Sequence, residues 1–274
     1  MTVDDSTSTF ARHQGVVHDH TFDYVAGSPH LKHATVRDAV VRVCRETVAG
    51  HLARTGRCRV LEVGAGHGTF TKVLVDLGAQ VWVTEMSADS VAVLRRDFGD
   101  EPAVRIEYDR DGTGAATGPR VDVVLFVSVL HHIPDYVAAV EATLRRLAPG
   151  GSVISFQDPL WYPRQSRVAR CTDRGAYLLW RLTRGNLRRG VASTLRRVRN
   201  AYDDTNPSDT VEYHVVRKGV DERALAAVLA PHFDEVTVHR YWSTQAAWLQ
   251  RLGERSSLVN TFGMTATGRR AGGQ

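Results

Sequence analysis

The sequence predicts an α/β protein built on a doubly wound sheet, and three observations carry the prediction. Strand-like and helix-like stretches take turns five times between residues 59 and 156, the rhythm of parallel strands joined by crossover helices. One strand, "VDVVLFV" at 121–127, is apolar almost throughout, as expected of a central strand covered on both faces. Between the first strand and its helix lies a turn with glycine at every second position, Gly64, Gly66 and Gly68. Such a turn bares backbone N–H groups where a Cβ would collide with a ligand.

The elements follow in order. Val36, Val40, Val43, Cys44, Val48 and Leu52 recur at helical spacing, predicting a helix over 35–53, with Thr35 and Asp38 spaced as a capping box. A strand at 59–63 enters the glycine turn, and a helix over 69–77 stops at Gly78. A strand at 80–84, a helix from after Ser87 to Phe98, and a strand at 104–108 continue the alternation. The central strand leads to a helix over 135–147 that ends at "APGG", and "SVISF" at 152–156 makes the fifth strand. The rhythm then breaks, and short basic helices interspersed with aromatics are expected. It resumes with a helix over 221–230, a strand at 235–241, a short helix after Ser243 and a last strand at 262–267.

At 274 residues the chain can bury one large core. It has no run of the ~18 apolar residues needed to cross a bilayer, and its polar, acidic start is unlike a secretory signal. A cytoplasmic location is therefore expected. Cys44, Cys58 and Cys171 lie far apart without metal-ligand spacing and read as reduced, packed thiols. The net charge of +5 is uneven, because residues 159–210 hold eleven arginines and no lysine against four aspartates. This segment either faces an anionic substrate, a carrier, a membrane surface or nucleic acid, or is a solvated helical face.

The dinucleotide fingerprint Gly-x-Gly-x-x-Gly fails here, since Thr69 stands at the third glycine. The spacing is Glu62-x-Gly64-x-Gly66-x-Gly68, inside "LEVGAGHGTF". With "VTEMS" (83–87), "DVVLFVSVLHHIPD" (122–135) and "LAPGGSVISFQD" (147–158) in the same order and spacing, the chain resembles class I S-adenosylmethionine-dependent methyltransferases of the small-molecule, metal-independent type. The resemblance covers residues 55–158 and implies a Rossmann-like sheet of seven strands with an antiparallel last strand. It also implies a helical lid between strands 5 and 6. The implied divisions are an N-terminal segment (1–34), predicted to be partly disordered and able to cover the site, a cofactor-binding core (35–158), a basic lid that binds the acceptor (159–210), and the C-terminal part of the sheet (211–274).

The same resemblance implies S-adenosylmethionine as cofactor and S-adenosylhomocysteine as product. Gly64, Ala65, Gly66 and Gly68 would lie against the methionine moiety, Glu62 by its amino end, and Glu85 on the ribose hydroxyls. Met86 would lie against the adenine. Ser128, in the loop after the fourth strand, is a further cofactor-binding candidate, and Asp109 either faces the adenine amino group or is a turn residue beside Gly112. His131 and His132 are the catalytic candidates, as a general base for a hydroxyl acceptor or as packing residues. Tyr24, Asp158, Trp161 and His214 are candidate acceptor-binding residues, with His30 another that could close the site. Arg164, Arg167 and Arg170 could meet an acceptor carboxylate or phosphate.

No metal site is expected, because the N-terminal histidines are irregularly spaced and no acidic ligand precedes Asp135 in the loop. The loop also lacks the Asn/Asp-Pro-Pro-aromatic element of methylases acting on nucleic-acid amino groups, so a nucleic-acid partner is not expected. The acceptor is expected to be a small molecule, a secondary metabolite or a glycosylated, anionic or carrier-linked compound methylated on oxygen. Nitrogen or carbon methylation, a non-methylating cyclase-like step, and a cofactor-binding partner protein are the alternatives.

Overall fold

A computed structural model describes residues 28–183 and 219–271. Seven strands form one sheet in the order β3-β2-β1-β4-β5-β7-β6. They are β1 (Arg59–Val63), β2 (Gln80–Glu85), β3 (Val104–Tyr108), β4 (Val121–Val127), β5 (Leu147–Pro159), β6 (Phe233–Tyr241) and β7 (Thr261–Arg269). Strands β1 to β5 run parallel, and β7 pairs antiparallel with both β5 and β6. The predicted doubly wound sheet with its antiparallel last strand is thus the observed one.

The helices are α1 (Pro29–Lys32), α2 (Ala34–Thr55), α3 (Thr69–Asp76), α4 (Ala88–Phe98), α5 (Tyr136–Leu144), α6 (Arg167–Thr183), α7 (Glu222–Leu229) and α8 (Ala247–Glu254). Two apolar clusters cover the sheet. Val40, Cys44, Val48 and Leu94 belong to one, with Val60, Val83 and Ile154. Val140, Leu144, Leu225 and Leu229 belong to the other, with Leu61, Val124 and Phe126. Residues 123–127 of β4 alternate between the clusters, which explains why its sequence lacks a polar face, while Asp122 near its start pairs with Arg59.

Several boundaries differ from the sequence reading. The capping box at Thr35 does not form: His33 is the N-cap of α2, and the Thr35 hydroxyl donates to Glu254 instead. Helix α5 ends at Leu144 rather than Leu147, because Arg146 turns inward and is buried. Its Nη1 donates to Gly114 O (3.0 Å) and its Nε to Pro119 O (3.2 Å), with the guanidinium over the Trp82 ring. Strand β5 begins five residues early and continues past Phe156 through a bulge, where its register with β7 steps from Phe156–Gly263 to Asp158–Phe262. Helices α3 and α4 do follow their signals. Gly78 terminates the first at φ 87°, and the Ser87 hydroxyl caps the second by accepting from Ser90 N.

Cys44 and Cys58 are buried as expected, and burial pushes both thiols up to about 12; Cys171 is exposed. The two ends of the insertion lie together. Leu160 bridges Val220, Val220 N donates to Pro159 O (2.9 Å), and Arg164 spans Asp221 and Glu222. Of the predicted lid, the described part is residues 159–183, and of the N-terminal segment, residues 28–34.

Candidate active site

The carboxyl edge of the parallel strands gathers nearly every residue singled out in the sequence, as is general for open α/β sheets. Strand β1 delivers Glu62 and then the glycine turn. Gly64, Gly66 and Gly68 adopt φ of 68°, 56° and 78°, a region in which side chains are strained. Gly64 N donates to Thr84 O (2.8 Å) and Gly68 N to Ala65 O (3.0 Å), so the turn is tied to β2 and to itself. A Cβ on Gly64 would stand 2.8 Å from Val129 and one on Gly68 2.5 Å from Phe98, so these glycines are also required by packing.

Glu85 ends β2, and its two carboxylate oxygens brace the turn. Oε2 accepts from Gly66 N (2.9 Å) and Oε1 from Ser87 N (2.8 Å). Burial raises its pKa, and these backbone donors oppose the rise. Glu62 is buried behind the turn and accepts from the Thr71 hydroxyl on α3 (2.6 Å). Burial pushes its pKa up to about 8, with Thr71 opposing and the charge of Glu85 adding. Asp109 follows β3; its N donates to Glu85 O (2.9 Å) and its Oδ1 accepts from Gly114 N (2.9 Å). Asp109 therefore organises the 109–114 turn, and Met86 lies beside that turn near Gly112.

The chain leaves β4 through Ser128, a non-glycine residue at φ 61° whose N donates to Phe156 O (2.8 Å). A short helical turn, Leu130–His132, follows. His131 Nδ1 lies 2.8 Å from Asp158 Oδ1, and the same oxygen accepts from His131 N (3.1 Å). Asp158 Oδ2 accepts from the Ser155 hydroxyl (2.9 Å). Because a carboxylate accepts, this pair places the imidazole proton on Nδ1 and makes Nε2 the nitrogen with the lone pair. The His131 side chain keeps 10% of its surface exposed and Asp158 none. Asp158, expected among the acceptor-binding residues, lies buried as the partner of His131. His132 packs its ring on His131, with centroids 4.0 Å apart.

Helix α1 closes over this edge from the other side. Lys32 Nζ donates to Gln245 O and His33 Nε2 to Thr244 O, both at 2.8 Å. Between them and the glycine turn, His30 stacks on Phe70 (6.1 Å). Burial holds its pKa down to about 3, with the charge of His131 contributing.

Trp161 lies at the start of the insertion beneath the Arg164 guanidinium, 4.6 Å from its ring. Arg164 is not available to an acceptor anion, because it pairs with Asp221 (2.6 Å) and Glu222 (2.9 Å). Tyr24 and His214 lie outside the described residues. Thr71, Ser155, Gln157 and Tyr241 were not found by sequence reasoning. Gln157 and Tyr241 meet through hydrogen bonds spanning 84 residues, and Thr71 and Ser155 through side-chain bonds to Glu62 and Asp158; no local pattern signals them.

Comparison with known proteins adds a family. A model described as "Methyltransferase domain" matches residues 61–153, the stretch that runs from the glycine turn to β5. These residues match a methyltransferase domain. The methyltransferase domain is 35% identical over 99 residues to a "Ubiquinone biosynthesis O-methyltransferase" of Xanthomonas oryzae pv. oryzae (strain PXO99A), a match covering 35% of this chain and 41% of that protein. A protein of the same description from Azorhizobium caulinodans is 32% identical over 126 residues, 43% of this chain and 47% of its own length. The chain thus spans less than half of the curated relatives it matches.

Among solved structures, N-methyltransferase NodS from Bradyrhizobium japonicum WM9, in complex with S-adenosyl-L-homocysteine, superposes with a TM-score of 0.52 at 13% identity, covering 97% of this chain and 99% of that one. The CurJ carbon methyltransferase gives 0.51 at 15% identity, covering 87% and 56%. At these identities the likeness is one of fold. The fold is therefore shared with proteins named for methylation of nitrogen and of carbon.

Proposed function

We propose that the chain transfers a methyl group from S-adenosylmethionine to a hydroxyl of a small-molecule acceptor, with His131 as general base. The observation that carries this reading is the buried Asp158 behind His131 Nδ1. A histidine that only packs does not need a buried carboxylate to set its tautomer, whereas a hydroxyl nucleophile gains from a base so oriented. The O-methyltransferase names of the curated relatives favour the same choice over nitrogen or carbon.

The residues fit the cofactor. Three acidic side chains, Glu62, Glu85 and Asp109, surround a turn whose glycines present no side chain. Such a set repels a pyrophosphate and suits a ligand with a cationic sulfonium, an ammonium group and ribose hydroxyls. Glu62 would hold the amino end, Glu85 the ribose, and Met86 with Asp109 the adenine side. When bound, S-adenosylmethionine supplies an electrophilic methyl carbon for in-line displacement. The chain's own contribution is alignment and exclusion of water. Helix α1 and the insertion flank the edge, and His131 Nε2 takes the acceptor's proton while Asp158 stabilises the resulting imidazolium.

The acceptor is proposed to be a secondary metabolite or an anionic, glycosylated or carrier-linked compound, met by the Arg-rich insertion. Among the described residues no helix is long and apolar enough to cross a membrane. Calorimetric titration with S-adenosylmethionine, S-adenosylhomocysteine and NADH tests the cofactor: both sulfur ligands bind and NADH does not. An acceptor screen with a labelled methyl group tests the reaction. With an acceptor in hand, His131→Ala lowers kcat by roughly 10²–10⁴-fold with cofactor affinity retained. Wild-type turnover in that variant removes His131 from the chemistry.

A further inference from the structure

The bulge in β5 explains how Asp158 reaches His131. Facing residues of neighbouring strands point to the same side of a sheet, and successive residues alternate. Ser155 faces Met264 and Phe156 faces Gly263, but Phe262 is faced by Asp158 and not by Gln157. Gln157 is the extra residue. Were Gln157 paired in a regular strand position, Asp158 would fall on the Phe156 side, and Ser155 and Asp158, three apart, would not share a face. With Gln157 as the extra residue they do, and the Ser155 hydroxyl bonds the Asp158 carboxylate.

The extra residue is held in an unfavourable conformation, with Gln157 at φ 68°. Conformations of this kind are costly for a residue with a side chain and persist where surrounding contacts impose them. The contacts come from the other face of the sheet and from beyond β7. Gln157 N donates to the Tyr241 hydroxyl (3.0 Å), that hydroxyl donates to Gln157 Oε1 (3.2 Å), and Gln157 Nε2 donates to Ser243 Oγ (2.7 Å). The Tyr241 ring packs near Phe156. Ser243 is held in turn by Asn260, whose Oδ1 accepts Ser243 N (2.8 Å) and whose Nδ2 donates to Ser243 O (2.8 Å).

We infer that Tyr241 is a positioning residue for the reaction: by holding the Gln157 bulge, its hydroxyl aims Asp158 at His131 and so fixes the imidazole with its proton on Nδ1. This deepens the proposed function, resting on His131 as the base, and assigns Tyr241 no contact with acceptor or cofactor. Tyr241 lies 110 residues from His131 in the chain, and on the opposite face of the sheet from Asp158.

The test is Tyr241→Phe in the full chain, which keeps the ring and removes the hydroxyl, with Ser243→Ala as a second variant in case the first does not fold. The primary readout is ¹⁵N and ¹H NMR of the histidines, with the His131 signals assigned by their loss in His131→Gln. Wild type shows His131 as a single Nδ1–H tautomer; Tyr241→Phe shows a tautomer mixture. The second readout is kinetic: kcat falls roughly ten- to a hundredfold, as expected when a reacting group is misplaced, and KM for S-adenosylmethionine stays within about twofold of wild type. An unchanged His131 tautomer in a folded variant overturns the inference. A disturbed tautomer with wild-type kcat supports the positioning and overturns His131 as base, so the two failures are distinguishable.

Discussion

Glu85 spends both of its oxygens on backbone N–H groups of the loops it joins, yet each oxygen retains a second lone pair for a ribose hydroxyl. If Glu85 holds the ribose as proposed, Glu85→Ala removes a ligand contact and a brace together, and S-adenosylmethionine affinity falls by about 1.5–3 kcal/mol; unaltered affinity by calorimetry would place the ribose elsewhere. Glu62 has a different consequence, visible without ligand. Its pKa rises from 4.5 unfolded to about 8 folded, chiefly through burial. Between those values the native state holds a proton that the unfolded state has lost, so stability falls as pH rises, by about 1.4 kcal/mol per pH unit. His30 works in the opposite sense. Its pKa falls from 6.5 to about 3, so stability rises with pH through that window. The two slopes oppose each other from 4.5 to 6.5, and from 6.5 to 8 only that of Glu62 remains. Urea unfolding of the ligand-free protein at several pH values checks this: the difference in stability between Glu62→Gln and wild type grows from pH 5 to pH 8, and a constant difference would mean that Glu62 is ionised throughout.

At the scale of elements, the glycine turn and the loop after β4 form one unit. Gly64 combines φ 68° with a side-chain neighbour, Val129, that leaves no room for a Cβ. Val129 lies between Ser128 and the helical turn carrying His131. Gly64→Ala costs about 1–2 kcal/mol for the left-handed conformation alone, and the clash must push Val129 away. Lower unfolding stability and weaker S-adenosylmethionine binding in the same variant are the expected outcome, against denaturation that matches wild type if the turn adapts freely. The turn and its partners were legible in the sequence because glycines and strand ends leave local marks. Failure of the Thr35 cap has the converse explanation: the capping pattern was present, but a contact with α8, more than two hundred residues away, claimed the hydroxyl.

Across the whole molecule, the sheet is closed where the insertion leaves it. The Leu160–Val220 bridge, the Asp221 N bond to the Tyr136 hydroxyl (3.0 Å), and Glu222, fully buried between Arg164 and Arg240, hold the two ends together. Replacing residues 168–217 by a short glycine-serine linker that spans the adjacent ends should preserve folding and S-adenosylmethionine binding while abolishing acceptor turnover. Loss of cofactor binding along with turnover would show that the insertion also supports the core. Helix α1 is the second long-range connection, tying the N-terminal side of the chain to the segment after β6 through Lys32 and His33.

What the sequence determined by itself was the alternation of strands and helices, the buried character of β4, the glycine turn and the carboxylate ending β2. Each is written in periodicity or in residues whose backbone preferences act locally. Tertiary structure alone decided which histidine gained a carboxylate, that Asp158 lies behind it, and that Arg164 closes the insertion on Asp221 and Glu222 instead of facing a ligand. The physical reason lies in pairing across the fold. One extra residue at Gln157 reverses the side to which Asp158 points, and the contacts that hold that residue there come from Tyr241 and Ser243, more than eighty residues away.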